Sequence, residues 1–103
     1  MMPKGARGCT GSGIKAPGVQ PIANNACFLT GVTVLTDGTN DATLIMYDNG
    51  SNTEAGTVIE KIIIPGASRY GGRDYSVPRS CANGITANLS GVGSNCIVDY
   101  VLK

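Results

Sequence analysis

Residues 27–36 read CFLTGVTVLT, a run in which β-branched and other apolar side chains alternate along an extended segment. Successive side chains of a strand point to opposite faces of a sheet. One predicted face carries Phe28, Thr30, Val32 and Val34, and the other carries Cys27, Leu29, Thr33 and Leu35. Gly31 falls on the second face, where a glycine inside a strand indicates a β-bulge. The run from Cys27 to Thr36 therefore predicts the first clear strand of the chain.

Similar runs lie on either side of this strand, at 19–22, 42–47, 57–64, 75–77, 85–89 and 96–102. Turn residues rich in Asp, Asn, Gly and Pro separate them about every ten residues, as in antiparallel sandwiches and barrels. No segment shows the period of a helix. Pro21 places the first of these runs at a sheet edge.

The run at 57–64 ends in Ile62-Ile63-Ile64, which is apolar on both faces. A strand of a packed sheet needs only one apolar face. We therefore expect the outer face of this strand to be covered as well.

The composition limits the chemistry that the chain can perform. Its 103 residues suit one domain, the net charge is +1, and His and Trp are absent. The lack of His removes the common catalytic triads and most zinc sites. The few carboxylates fall mostly in turns, where Asp accepts hydrogen bonds from backbone amides. We therefore expect no enzyme, cofactor, metal or specific nucleic-acid partner.

Four cysteines, at positions 9, 27, 81 and 96, are too widely spaced for a typical zinc site. We expect Cys27, Cys81 and Cys96 to be buried in the core as small apolar side chains. Cys9 lies in a glycine-rich segment and is expected to be exposed.

The first nineteen residues are rich in Gly, Lys and Pro and show little apolar periodicity. They predict a flexible N-terminal arm over 1–19, with the β-sandwich domain over 20–103. Lys4, Arg7 and Lys15 would let this arm bind a partner and become ordered on contact; the alternative is a frayed terminus. Neither a secretory signal nor a membrane span is recognisable, so synthesis in the cytosol is expected.

A second candidate interface lies in the irregular stretch 67–80, which combines arginines and tyrosines with Gly71-Gly72. Both residue types are enriched in interface hot spots. The candidate residues of this stretch are Arg69, Tyr70, Arg73, Tyr75 and Arg79. The alternative is a solvated connection with a cation–π contact inside it.

Four short motifs carry a resemblance to a known group of proteins: YDNGS at 47–51, GTVI at 56–59, ANGI at 82–85 and IVDY at 97–100. Together they resemble small β-sandwich virion proteins of tailed bacteriophages. The resemblance covers about two thirds of the chain. The four cysteines and the Arg/Tyr stretch depart from the pattern of that group.

The resemblance implies a jelly-roll-like fold and a structural role as a capsid decoration, or cement, protein. It implies a location on the capsid surface, a homotrimer, and the major capsid protein as partner. One alternative is a receptor- or glycan-binding module of a head fibre or tail, and another is a host-side binding domain. An Asn- and Asp-lined concave site with aromatic side chains would favour the glycan-binding alternative.

Overall fold

The computed structural model describes residues 10–51, 53 and 56–103. Within these ranges the chain forms eight strands: β1 (Thr10–Gly11), β2 (Gly18–Ala23), β3 (Cys27–Leu35), β4 (Ala42–Asp48), β5 (Thr57–Ile64), β6 (Tyr70–Cys81), β7 (Ile85–Ser90) and β8 (Asn95–Leu102). A single 3-10 turn over Gly66–Ser68 is the helical element of the same ranges. No helix in the described part of the chain has the length and apolarity needed to cross a membrane.

The strands form two four-stranded antiparallel sheets that pack together as a β-sandwich. Sheet A has the order β1-β8-β3-β6, and sheet B has the order β2-β7-β4-β5. Every pairing within each sheet is antiparallel. The predicted antiparallel sandwich is thus confirmed.

The core lies between the sheets and is apolar. Its largest fully buried apolar side chains are Leu29, Leu44, Met46, Ile85, Leu89, Val34 and Val98. The buried cysteines Cys27, Cys81 and Cys96 complete this layer, as predicted. Cys9 lies outside the described residues.

A bulge at Gly31 changes which side chains of β3 face the core. The register with both neighbouring strands shifts between Leu29 and Gly31. Before the shift Leu29 is buried, and after it Val32 and Val34 are buried while Thr33 is exposed. The predicted bulge is confirmed. Cys27 and Leu29, from one predicted face, point to the core before the bulge, whereas Val32 and Val34, from the other predicted face, point to the core after it. The extra residue at the bulge reverses the alternation.

Residues 10–19, assigned to the arm in the sequence analysis, pair with the sheets. Thr10–Gly11 pairs with β8, Lys15 forms a bridge with Cys96, and β2 begins at Gly18. Backbone hydrogen bonds need no apolar periodicity, which explains why the composition gave no sign of this pairing. Pro21 lies on β2, an edge strand, as predicted.

The stretch expected to be irregular, with a short strand at 75–77, is mostly one strand, β6. β6 is an edge strand that pairs with β3, and its residues are largely exposed, so the sequence lacks the apolar signal of a core strand. Gly72 is needed because a Cβ there would collide with the Val32 carbonyl. The register passes from Leu29↔Arg79 to Gly31↔Asp74, which leaves a bulge on β6.

Candidate binding surfaces

Turn carboxylates hold the loops of the sandwich in place. The two carboxylate oxygens of Asp48 accept the backbone N–H groups of Ala82 and Asn83 at 3.1 and 2.8 Å. Asp37 accepts the backbone N–H groups of Thr39 and Asn40, and these bonds hold its pKa below the usual value. The carboxylates at these turns thus act on the backbone of their own chain.

Part of the predicted Arg/Tyr interface forms an intramolecular cluster at the side of the sandwich, where β5 faces β6. The Tyr75 hydroxyl donates to Glu60 Oε1 at 2.9 Å, and Arg73 Nε lies 3.5 Å from the same oxygen. Arg79 donates to the Ile59 carbonyl at 3.1 Å, and its guanidinium lies 5.9 Å from the centre of the Tyr75 ring. We call Glu60, Arg73, Tyr75 and Arg79 the side cluster.

The side cluster joins the edge of sheet A to the edge of sheet B. Burial and the hydrogen bond to Glu60 raise the pKa of Tyr75 to about 12. The Tyr75 ring also packs against the core. The cation–π contact matches the alternative interpretation of this stretch, a connection that satisfies its own side chains.

Arg69 and Tyr70 lie apart from the side cluster. Arg69 has φ 67°, and its guanidinium lies near Gly38, whose added Cβ would be 3.1 Å from Nη1. Tyr70 is 70% exposed. It lines a shallow depression of about 260 Å³ together with residues 71–74 of β6 and with Val32 and Thr33 of β3. Of the predicted tyrosines, Tyr70 is the more accessible to a partner.

The predicted basic residues of the N-terminal segment are in different situations. Lys4 and Arg7 lie outside the described residues. Lys15 exchanges two backbone hydrogen bonds with Cys96, at 2.8 and 3.0 Å, at the start of β8. The structure does not bring Lys15 together with the arginines of β6, because β3 lies between β8 and β6 in sheet A.

The outer face of sheet B is an apolar surface, and none of the candidate site residues predicted from the sequence lies on it. The register places Ile45 between Lys61 and Asn88, Val58 opposite Tyr47, and Ile63 opposite Thr43. Ile63 is 60% exposed and Val58 52% exposed. Lys61 is the one charged side chain among the outward positions of the described β2, β4, β5 and β7 residues.

The run Ile62-Ile63-Ile64 was the sequence signal for this surface. Ile62 and Ile64 are buried and Ile63 points outward, so the expected cover over the outer face is not supplied by the described part of the chain. We call Ile45, Tyr47, Val58 and Ile63 the sheet B patch.

The outer face of sheet A has a different character. Gly31 lies opposite Asp74 on one side and Asp99 on the other. A Cβ at Gly31 would lie 3.4 Å from an oxygen of Asp74 and 3.7 Å from an oxygen of Asp99. The outer face of sheet A thus carries two carboxylates as well as the exposed aromatic side chains of Phe28 and Tyr70.

One end of the sandwich has a polar depression of about 350 Å³. Its lining is formed by Asn24, Asp48, Asn49, Gly50, Ser51, Gly56 and Asn83. Asn49 already accepts the Ser51 N–H at 2.6 Å and donates to Thr53 at 3.1 Å. The described lining contains amides and a carboxylate but no aromatic ring.

No group of three or more metal-ligating side chains occurs among residues 10–51, 53 and 56–103. Comparison with known protein families, curated proteins and solved structures finds no match for this chain.

Proposed function

We propose that this chain is a structural virion protein with a jelly-roll fold, which binds the outside of a capsid and stabilises it. The strand order supports the fold and is the observation on which the proposal depends. In both sheets, neighbours such as β8 and β3, or β7 and β4, are far apart along the chain. Two four-stranded sheets with such Greek-key connections are typical of jelly rolls, which include viral capsid domains.

The sheet B patch is the surface that we propose contacts the shell. An exposed apolar area with polar surroundings is typical of a protein-binding surface. Ile63 and Val58 stand on a rigid sheet, so burying them against a partner orders few additional groups. The major capsid protein is the proposed partner, in keeping with the resemblance to phage decoration proteins.

A second contact by the N-terminal segment, through Lys4 and Arg7, would link the domain to a neighbouring subunit. Once one contact has formed, the other forms at a high effective concentration, which slows dissociation. A ligand that binds the assembled shell and not its separate subunits stabilises the shell by mass action. A homotrimer fits this role, since closed symmetry matches the local axes of a capsid.

The decisive experiment is mass spectrometry of purified particles, with the copy number measured relative to the major capsid protein. Near-stoichiometric copies support decoration. A few copies per particle indicate a tail or vertex component, and absence from particles refutes a virion role.

Surface variants then test the sheet B patch. We expect Ile63→Glu to leave the fold intact and to weaken shell binding at least tenfold, because it introduces a charge into an apolar contact. Val92→Glu is the matched control, since Val92 is an exposed apolar residue in the turn between β7 and β8, outside the candidate surfaces. Equal binding by both variants would exclude the sheet B patch as the contact.

The N-terminal contact has its own test. Removal of residues 1–9 leaves the Thr10–Gly11 pairing with β8 available, so the sandwich should keep its melting temperature. We expect faster dissociation from shells for the shortened chain. Unchanged dissociation would show that the segment contributes nothing to attachment.

The polar depression supports a second candidate function, glycan binding by a head-fibre or tail module. Asn24, Asn49 and Asn83 offer amide groups of the kind that pair with sugar hydroxyls. A glycan array with the wild-type protein and Asn83→Ala tests this candidate. Binding that is lost in the variant would favour it over decoration.

A further inference from the structure

Two buried cysteines lie directly opposite each other in sheet A. Cys27 is the first residue of β3, Cys81 is the last residue of β6, and they are Cα partners in the antiparallel register. Both are fully buried in the core, and both carry free thiols. The Cys81 thiol donates to the Arg79 carbonyl at 3.7 Å, on its own strand.

This placement meets the geometric requirement for a disulfide. Opposed residues of an antiparallel pair have Cα atoms about 4.5–5.5 Å apart. Disulfides span Cα separations of about 4.4–6.8 Å. Both side chains point to the same face of the sheet, since they share one register position.

Cys96 provides the internal contrast. It is also fully buried, but its Cα partner on β3 is Val34, at the opposite end of that strand from Cys27. Val34 lies seven positions after Cys27 along β3, which corresponds to roughly 20 Å. Cys96 therefore cannot reach either member of the pair while the fold is intact.

We propose that Cys27 and Cys81 form a disulfide across β3 and β6 when the protein meets a disulfide-type oxidant such as oxidised glutathione. The Cys27 thiolate attacks one sulfur of the oxidant, giving a mixed disulfide and releasing one thiolate. The Cys81 thiolate then attacks the sulfur of Cys27 and releases the second. The protein loses two electrons and two protons, and the oxidant becomes two thiols.

The position of the pair explains how an oxidant would gain access. Both residues lie at strand ends beside the end of β8, where Leu102 is the partner of Cys27 and is 54% exposed. Strand ends open at a lower free energy than strand centres. Burial raises the pKa of both thiols, so formation in the folded state is slow and depends on this opening.

The disulfide would link the edge strand β6 covalently to its neighbour in sheet A. It closes a loop that contains β3, β4, β5 and β6, and it ties the end of β6 to the inner strand β3. Closing a loop of this length restricts the unfolded chain strongly. A reduced protein in the cytosol would thus become more stable in an oxidising medium outside the cell.

The test uses the full chain with Cys9→Ser in every sample, so that no thiol outside the described residues competes. The protein is equilibrated with reduced and oxidised glutathione, both in the folded state and during refolding from urea, and is then alkylated in denaturant. We expect Cys96 to be alkylated and Cys27 and Cys81 to be protected. Tryptic and chymotryptic digestion separates Cys81 from Cys96 at Leu89 and should yield the Cys27–Cys81 linked peptide.

The variants Cys27→Ala and Cys81→Ala should abolish the linked peptide, and Cys96→Ala should retain it. We expect the oxidised protein to melt about 10 °C above the reduced protein, a difference absent from Cys27→Ala. Full alkylation of all three thiols after refolding in oxidised glutathione would overturn the proposal. A linked peptide that joins Cys96 to another cysteine would overturn it as well.

Discussion

Replacing Tyr75 by Phe removes the hydroxyl that joins the two sheets through Glu60. The pKa of Tyr75 rises from 10.0 to about 12 on folding, chiefly through burial and then through the hydrogen bond to Glu60. Two pKa units correspond to about 2.7 kcal/mol at 1.36 kcal/mol per unit. Because Tyr75 is only partly buried, solvent screening reduces this figure, and we expect about 1–2 kcal/mol.

The direction of the pH dependence follows from the upward shift. The folded protein holds the phenolic proton more tightly than the unfolded chain, so the stabilisation is complete below pH 10. It is lost as the pH rises from 10 to about 12, where the folded state also releases the proton. The free energy of unfolding of wild type minus that of Tyr75→Phe should therefore fall by about 1–2 kcal/mol between pH 8 and pH 12.

Urea unfolding of both proteins at a series of pH values measures this difference. The buried cysteines also titrate at high pH, but they are common to both proteins and cancel in the comparison. Tyr70→Phe, at an exposed tyrosine, is the control at pH 8 and should change stability by less than about 0.5 kcal/mol. A wild-type advantage over Tyr75→Phe that stays constant from pH 8 to pH 12 would refute the assignment to this hydroxyl.

Three further substitutions test the fold. Ile62→Ala should lower the free energy of unfolding by about 2–5 kcal/mol through a core cavity, whereas Ile63→Ala, exposed on the same strand, should change it by less than about 0.5 kcal/mol in urea unfolding. Asp48→Ala leaves two backbone N–H groups without their acceptor. It should lower the free energy of unfolding by about 1–3 kcal/mol, which a lower melting temperature would show. Gly66→Ala places a Cβ against the Thr39 carbonyl and should cost at least about 1–3 kcal/mol; an unchanged melting temperature would show that this turn relaxes freely.

The sequence predicts the strands that build the core, because burial between two sheets imposes alternation on them. It predicts the bulge at Gly31 from a glycine inside a strand, and the three buried cysteines from their small apolar side chains. It does not predict β6, whose residues are mostly exposed and whose pairing depends on backbone groups and on the space left by Gly72. Because edge strands bury few apolar side chains, the first and last residues of β6 can be assigned only from its backbone pairing with β3 in the structure.

The sequence also did not show whether the Arg/Tyr stretch at 67–80 contacts another protein or its own chain. Arg73, Tyr75 and Arg79 have the composition of a binding surface, yet their contacts lie with Glu60, with the Ile59 carbonyl and with one another. Composition identifies side chains that can form strong contacts but not whether the partner belongs to the same chain. The register of β5 against β4 was required to show that Ile63 points away from the core.

The edges of the two sheets differ in a way that bears on how this sandwich meets other proteins. An exposed edge invites pairing with another chain, and bulges, prolines and charges oppose it. β6 has a bulge and Pro78, β2 has Pro21, and β1 is two residues long. β5 has neither proline nor glycine, but it has a bulge at Ile59 and carries the charged residues Glu60 and Lys61. All four edges therefore carry protection against strand pairing, so we place the proposed capsid contact on the outer face of sheet B, where Val58 and Ile63 are exposed, rather than on a sheet edge.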